Sequence, residues 1–114
     1  MIAGLLLACG AEPDIALVPP PPAGCEPTET CELAVGVRAG PGFHLNRDYP
    51  VRFVADAADR LASDQPEFTF ADNRNGTQVV RLAAGTSSVS GKLKVSWCNE
   101  EACHIDELAV TLDP

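Results

Sequence analysis

Residues 91–114 read GKLKVSWCNEEACHIDELAVTLDP, and this stretch decides the fold. Apolar residues alternate with polar or small ones on both sides of a polar segment: Leu93, Val95 and Trp97 before it, and Leu108, Val110 and Leu112 after it. A period of two is typical of strands with one buried face, and the polar segment, residues 99–102, fits a turn. The sequence therefore predicts a β-hairpin with one side in a core.

Two cysteines flank this turn. By strand parity Cys98 shares the face of Lys94 and Ser96, and Cys103 shares the face of Ala109, so both sulfurs are predicted to point away from the core. Opposed residues of an antiparallel pair have Cα atoms about 4.5–5.5 Å apart, within reach of a disulfide. The pair is therefore predicted to bond across the hairpin, either as a structural clip or as a redox pair.

Length and charge bound the rest of the chain. Its 114 residues, less what the amino terminus loses, suit one modest domain. The formal net charge is −8 and no Lys or Arg precedes Arg38, which does not suit binding of nucleic acid or anionic lipid headgroups through charge. We expect an acidic monomer that binds no nucleic acid.

The amino terminus carries an export signature. Residues 1–8 are apolar, and the run LLAC at residues 6–9 resembles a bacterial lipobox, in which the cysteine after the cleavage site is lipidated. No positive charge precedes the apolar run, so we expect it to be the end of a longer signal peptide. The alternative is a short buried strand or a helix fragment. Lipidation of Cys9 implies an envelope protein that faces the periplasm or the surface. Gly10 in place of an aspartate favours the outer membrane.

Residues 9–30 are predicted to be a tether, because the four prolines at 19–22 favour an extended polyproline conformation. The domain is predicted to span residues 31–114. With Cys9 lipidated, four cysteines remain, and in sequence they lie as the close pairs Cys25/Cys31 and Cys98/Cys103. An oxidising compartment would close both pairs, the first in a structural role, although four cysteines allow three connectivities.

Six or seven short strands are predicted between Gly, Pro and Asn signals, with no convincing helix. They lie at residues 31–39, 51–54, 67–70 and 77–83 and in the two arms of the hairpin. The Asn75-Gly76 pair is a turn signal, and residues 55–64 fit a helical turn or a polar crossover. We expect the larger aromatic side chains in the core: Phe53, Phe68, Phe70 and Trp97. This pattern predicts an all-β, antiparallel β-sandwich.

Two segments then occur in a recognisable order. GFHLNR at residues 42–47 precedes a strand, and VSWC at residues 95–98 leads through Cys103 into the last strand. Together they resemble the periplasmic amino-terminal domain of the DsbD thiol:disulfide transporter. That family has a glycine, two aromatics, leucine, tyrosine and arginine early, and two redox cysteines on a late hairpin. The resemblance implies an immunoglobulin-like sandwich of about seven strands.

The resemblance also implies roles for particular residues. Cys98 and Cys103 take the positions of the redox pair, with Cys103 the sulfur attacked by a partner. Phe43, His44 and Asn46 take the positions of aromatics near that pair. The chain departs from the family pattern because four residues rather than five separate the cysteines. No tyrosine and prolines follow the second cysteine.

Two functions from different classes follow. In the first, the pair exchanges electrons with an envelope thiol:disulfide partner. In the second, the chain is a non-enzymatic lipoprotein that binds a protein through a loop or an edge strand, and its disulfides are structural. Nearby charges are mixed, since Lys94 and His104 favour a thiolate and the acidic residues Glu100, Glu101 and Asp106 oppose it.

A metal site is a weaker alternative. It would use Cys98, Cys103, His104 and His44 as ligands of zinc or copper. The spacing is not that of a usual zinc knuckle, and an oxidising compartment favours the disulfide. No metal or cofactor is therefore predicted.

Overall fold

The structure is a computed structural model that describes residues 13–114. Eight strands follow one another: β1 (Ile15–Val18), β2 (Cys31–Ala39), β3 (His44–Leu45), β4 (Arg52–Ala55), β5 (Thr69–Phe70), β6 (Asn75–Leu82), β7 (Val89–Cys98) and β8 (Cys103–Leu112). One 3₁₀ turn, Ala58–Arg60, lies in the predicted crossover between β4 and β5. None of the described residues belongs to a helix that could cross a bilayer.

The strands form two antiparallel sheets. The first sheet has the order β1-β2-β6-β5, and in the second β7 pairs with β3 and β4 along one side and with β8 along the other. Because β3 and β4 pair with successive parts of β7, they act as one interrupted strand. Seven strands then remain, and their order matches the constant-type immunoglobulin arrangement. The predicted immunoglobulin-like sandwich is confirmed.

The core lies between the two sheets, where the inward residues of β2, β6, β7 and β8 meet. The most deeply buried larger side chains are Val35, Val37, Val80, Leu82, Leu93, Val95 and Leu112. Trp97 is buried with them, and the phenylalanines at 53, 68 and 70 pack against them while partly exposed. The predicted burial is therefore met in full by Trp97, while the three phenylalanines pack at the margin of the core.

The hairpin of β7 and β8 has the predicted register. Ten pairs run from Val89 opposite Leu112 to Cys98 opposite Cys103. Disulfides join Cys98 to Cys103 and Cys25 to Cys31. Of the three connectivities that the sequence allows, the structure therefore has the two local bonds.

Part of the predicted tether belongs to the first sheet. Residues 15–18 form β1, an edge strand that pairs with β2 from Ile15 opposite Ala39. Ile15 and Leu17 pack against the core, while Val18 lies outward over Gly36. The prolines that follow end the strand because proline has no amide to donate. The predictions for Cys9 and residues 1–8 lie outside the described residues.

The Asn75-Gly76 pair is not a turn, contrary to the sequence prediction. Both residues are the start of β6, and the preceding turn is built on Asp72, whose Oδ1 accepts the amides of Arg74 and Asn75 at 2.8 Å each. Gly76 is needed for another reason, since a Cβ at this position would overlap the Phe68 ring. A glycine in a strand often marks such a close approach.

The close approach of β4 to β7 generates a stability prediction. Gly91 lies between Ala55 and Val110 in the register, and a Cβ there would overlap the Val54 carbonyl oxygen. We expect Gly91→Ala to lower the free energy of unfolding by about 1–3 kcal/mol, because the β4 backbone must move away from β7. Urea denaturation measures the change. The exposed Ser88→Ala change next to β7 is the control, expected within about 0.5 kcal/mol, and equal stability of the two variants would contradict the prediction.

Candidate functional site

The sequence-predicted cysteines lie at the tip of the β7–β8 hairpin. Asn99 closes the turn, because its Oδ1 accepts the amides of Glu101 and Ala102 at 2.9 Å each and its own amide donates to the Ala102 carbonyl at 2.9 Å. The Cα atoms of Cys98 and Cys103 are 4.0 Å apart just below this turn. The turn residues between them are therefore held by an asparagine side chain as well as by the disulfide.

The two cysteines of this bond differ in exposure. Cys98 is 5% exposed, whereas Cys103 is exposed. The sequence predicted that both sulfurs leave the core side for solvent. Both do lie on the outer face of the sheet, but Cys98 and Ser96 are buried there, between the β3 segment and β8, whereas Ser90 and Lys92 farther along the same face are exposed. Cys103 stands on the outermost strand and stays accessible.

The neighbours of Cys98 on this outer face come from β3. His44 is its register partner and is exposed, so Cys98 lies between His44 on one side and Cys103 on the other. Asn46, just after β3, contacts the next outer-face residue of β7, which is Ser96. Its amide donates to the Ser96 carbonyl at 3.0 Å, and its Nδ2 donates to Ser96 Oγ at 3.3 Å. A shallow depression of about 360 Å³ opens beside these β3 residues.

The third predicted supporting residue, Phe43, is on the other face of the sheet. Its ring centroid is 6.3 Å from that of His104, which in turn lies 5.7 Å from the Trp97 ring. Trp97 faces the core, and His104 is its register partner. The structure therefore places His44 beside Cys98 and Asn46 beside Ser96 on the same face, and it separates Phe43 from the sulfurs by the thickness of the sheet.

The same placement bears on the metal alternative. His104 faces the side opposite to Cys98 and Cys103, so the four suggested ligands do not converge. Among residues 13–114, no group of three or more His, Cys, Asp or Glu side chains is arranged to hold a metal ion.

The charge around the disulfide is mainly negative. Glu100 and Glu101 are exposed in the turn itself. Lys94, which the sequence suggested as a helper of a thiolate, has its Nζ 3.6 Å from the Glu107 carboxylate and is partly neutralised by it. The nearest cationic side chain in the outer-face register is therefore that of His44 when it is protonated.

The loop before β6 supports β3 in a way that the sequence reading missed. The Asn73 carbonyl accepts the Leu45 amide at 2.7 Å, so this loop holds the strand that carries His44. Hydrogen bonds from the Arg74 amide and the Asn75 side chain keep the pKa of Asp72 below its ordinary value of 3.8. The pattern DNRN was the available signal, because Asp and Asn side chains often bond the backbone of a turn.

The other disulfide lies at the opposite end of the sandwich. Cys31 is buried at the start of β2, and Cys25 is partly buried beside it. A depression of about 500 Å³ there is lined by both cysteines and by polar residues that include Glu29, Thr86 and Asp113. This bond attaches the connection after β1 to the core.

Comparison of the chain with known protein families, with curated proteins and with solved structures finds no match in any of the three. The resemblance to the DsbD amino-terminal domain stays a prediction that rests on residues 42–47 and 95–103.

The Asp72 turn generates a prediction about pH. The folded-state pKa of Asp72 is lower than the unfolded one, so its stabilising effect is complete above pH 3.8 and is lost as the pH falls through the folded-state pKa. We expect Asp72→Asn to be less stable than the wild type at pH 7, and the difference in unfolding free energy to shrink as the pH falls toward about 2. Urea denaturation at both pH values measures it.

The control for that experiment is Asp48→Asn, another exposed aspartate in a nearby loop. It should show no comparable pH-dependent difference from the wild type. A difference for Asp72→Asn that stays constant with pH would contradict the role assigned to the carboxylate.

Proposed function

We propose that this protein takes part in thiol:disulfide exchange in the cell envelope through Cys98 and Cys103. The observation that carries the proposal is the unequal exposure of one bonded pair, in which Cys103 is exposed and Cys98 is 5% exposed. Exposed disulfides are more often the labile ones, and exchange requires access to one sulfur along the line of attack. The sequence resemblance gives the same two residues the same role.

The exchange has a defined direction of attack. A partner thiolate attacks Cys103 Sγ, the bond to Cys98 Sγ breaks, and its electron pair leaves on Cys98 as a thiolate. A mixed disulfide then joins Cys103 to the partner. A second partner thiolate attacks the partner sulfur of that bond and releases Cys103, so the partner is oxidised by two electrons and this chain is reduced.

In the reverse direction the reduced chain donates the electrons. The Cys103 thiolate attacks a partner disulfide, and Cys98 then attacks Cys103 Sγ and releases the partner as a thiol. Cys98 is the resolving cysteine in this direction because it is already the neighbour of Cys103 in the hairpin. Its burial keeps it from reacting with other thiols.

His44 supports both the reduction and the re-formation of the Cys98–Cys103 bond. It is the cross-strand neighbour of Cys98 on the outer face, and cross-strand neighbours have Cβ atoms about 4.5–5.5 Å apart. A protonated imidazole at this distance lowers the energy of a Cys98 thiolate. It opposes the negative field of Glu100 and Glu101.

The reactivity of single-cysteine variants tests the proposal. We expect Cys98→Ser, which leaves the exposed Cys103 thiol, to form a mixed disulfide with oxidised glutathione at least about tenfold faster than Cys103→Ser, which leaves the buried thiol. Mass spectrometry of quenched samples follows the reaction. Equal rates would contradict the assignment of Cys103 as the attacked sulfur.

The reduction potential of the pair separates a redox role from a structural one. In glutathione buffers we expect the Cys98–Cys103 bond to have a potential above about −300 mV, whereas structural disulfides lie below it. The Cys25–Cys31 bond is the internal control and should resist reduction. A potential below about −300 mV for both bonds would make Cys98–Cys103 a structural clip.

The location of this chemistry rests on Cys9. We propose that a lipid on Cys9 anchors the chain to the envelope membrane, with the outer membrane favoured by Gly10. Mass spectrometry of the mature protein from an expressing bacterium should find cleavage before Cys9 and an added acyl mass. A mature chain that retains residues 1–8 without acyl groups would contradict this proposal.

A further inference from the structure

The strand that carries Cys103 is an edge strand with an open side. Within residues 13–114, β8 pairs with β7 alone. Its first half, from Cys103 to Glu107, is exposed at every position, including positions whose parity directs them toward the core side. The connection after β1 reaches β8 at the far end, where the Ala23 amide donates to the Asp113 carbonyl at 3.3 Å. The open part of the edge is therefore the half next to the hairpin tip.

Hydrogen-bond parity shows which backbone groups face that open side. The Ser96 and Ser90 carbonyls accept amides from the β3 and β4 side of β7, so the even-numbered residues of β7 bond on that side. The odd-numbered residues of β7 then bond to β8, and their partners in the register are the even-numbered residues of β8. The amide and carbonyl groups of Cys103 and Ile105 therefore point away from β7 into the open edge.

The side chains at this edge have one sign of charge. Glu100, Glu101, Asp106 and Glu107 are all exposed, and the Asp106 carboxylate reaches the edge because its Oδ1 accepts the Glu107 amide at 2.8 Å. Glu107 is already ion-paired with Lys92 at 3.8 Å and with Lys94 at 3.6 Å, so Glu100, Glu101 and Asp106 supply most of the negative charge. Among them Ile105 is 66% exposed and offers the edge an apolar contact.

These features select the occupant of the edge. An unpaired row of backbone groups binds another strand, and a partner of matching charge is favoured. A second copy of this chain would place the same acidic residues against each other, which is unfavourable at a net charge of −8. An extended segment with basic side chains meets both requirements.

We propose that the open edge of β8, from Cys103 to Glu107, binds an extended basic segment of a partner protein by strand addition. The Cys103 and Ile105 backbone groups supply the hydrogen bonds, Ile105 contacts an apolar side chain, and the acidic residues around it select lysine or arginine. The proposal does not depend on the exchange chemistry, because strand addition leaves the disulfide intact.

A cysteine-free peptide tests it. The probe is an acetylated and amidated heptapeptide of alternating lysine and valine, added to the oxidised protein and followed by amide chemical shifts in nuclear magnetic resonance. We expect binding with a Kd below about 1 mM, with the largest shifts at Cys103 and Ile105 and weaker binding in high salt. The same peptide with glutamate in place of lysine should not bind.

Proline variants test the backbone contact. Ile105→Pro removes an amide that points outward, so it leaves the β7–β8 ladder intact, and we expect it to weaken peptide binding about tenfold. Thr111→Pro is the matched control, since it has the same outward parity at the far end of β8 and should leave the Kd unchanged. Circular dichroism and urea denaturation check that both variants fold. If Ile105→Pro does not fold, Ile105→Ala tests the proposed apolar contact instead, and we expect it to weaken peptide binding.

Any of three results with the peptide would overturn the proposal. They are no binding at about 1 mM peptide, equal binding of the glutamate peptide, or chemical-shift changes that centre on β1 or another surface. Wild-type affinity of Ile105→Pro would also overturn it, as would wild-type affinity of Ile105→Ala if the proline variant does not fold. Dimerisation of the protein through β8 in sedimentation would replace the basic partner by a second copy. All of these results are obtained with the disulfide closed, so they are independent of the reduction potential.

Discussion

The register between β7 and β8 is the constraint on which the rest of the structure depends. The ten residue pairs place every second residue of β7 toward the core, together with Leu108, Val110 and Leu112 of β8. Because the side-chain period of a strand is two, a shift of one residue would expose Leu93 and Val95 and bury Lys92 and Lys94. The Asn99 turn and the Cys98–Cys103 bond both hold this register at the turn end of the hairpin.

The position of each strand in the sheet explains the difference between the two cysteines. β7 has neighbours on both sides, so Cys98 is covered by β3 and β8 even though it lies on the outer face. β8 has β7 alone as its neighbour in the described part of the chain, so Cys103 is exposed. In the proposed exchange, this difference would direct a partner thiolate to Cys103.

The two disulfides also differ in how closely each is tied to the core. Cys31 begins β2 with its side chain in the core, so its bond to Cys25 attaches a connecting segment to the interior. Cys98 and Cys103 already oppose each other in a formed hairpin, and the ladder of β7 and β8 continues below them without the bond. The hairpin bond is therefore the one whose opening disturbs the core less.

The sequence alone determined the hairpin, its disulfide, the sandwich and the inward aromatics, because these depend on local spacing and on alternation that can be counted along the chain. It did not determine that residues 15–18 form β1, since four residues before a run of prolines have too little pattern to distinguish a strand from a tether. It also misplaced the turn at Asn75-Gly76. The glycine is required there because the Phe68 ring, just before β5, packs against its backbone. The burial of Cys98, the separation of Phe43 from His44 and the open edge of β8 were decided by the tertiary structure, because each depends on which strands lie side by side, and strand neighbours are set by long-range packing.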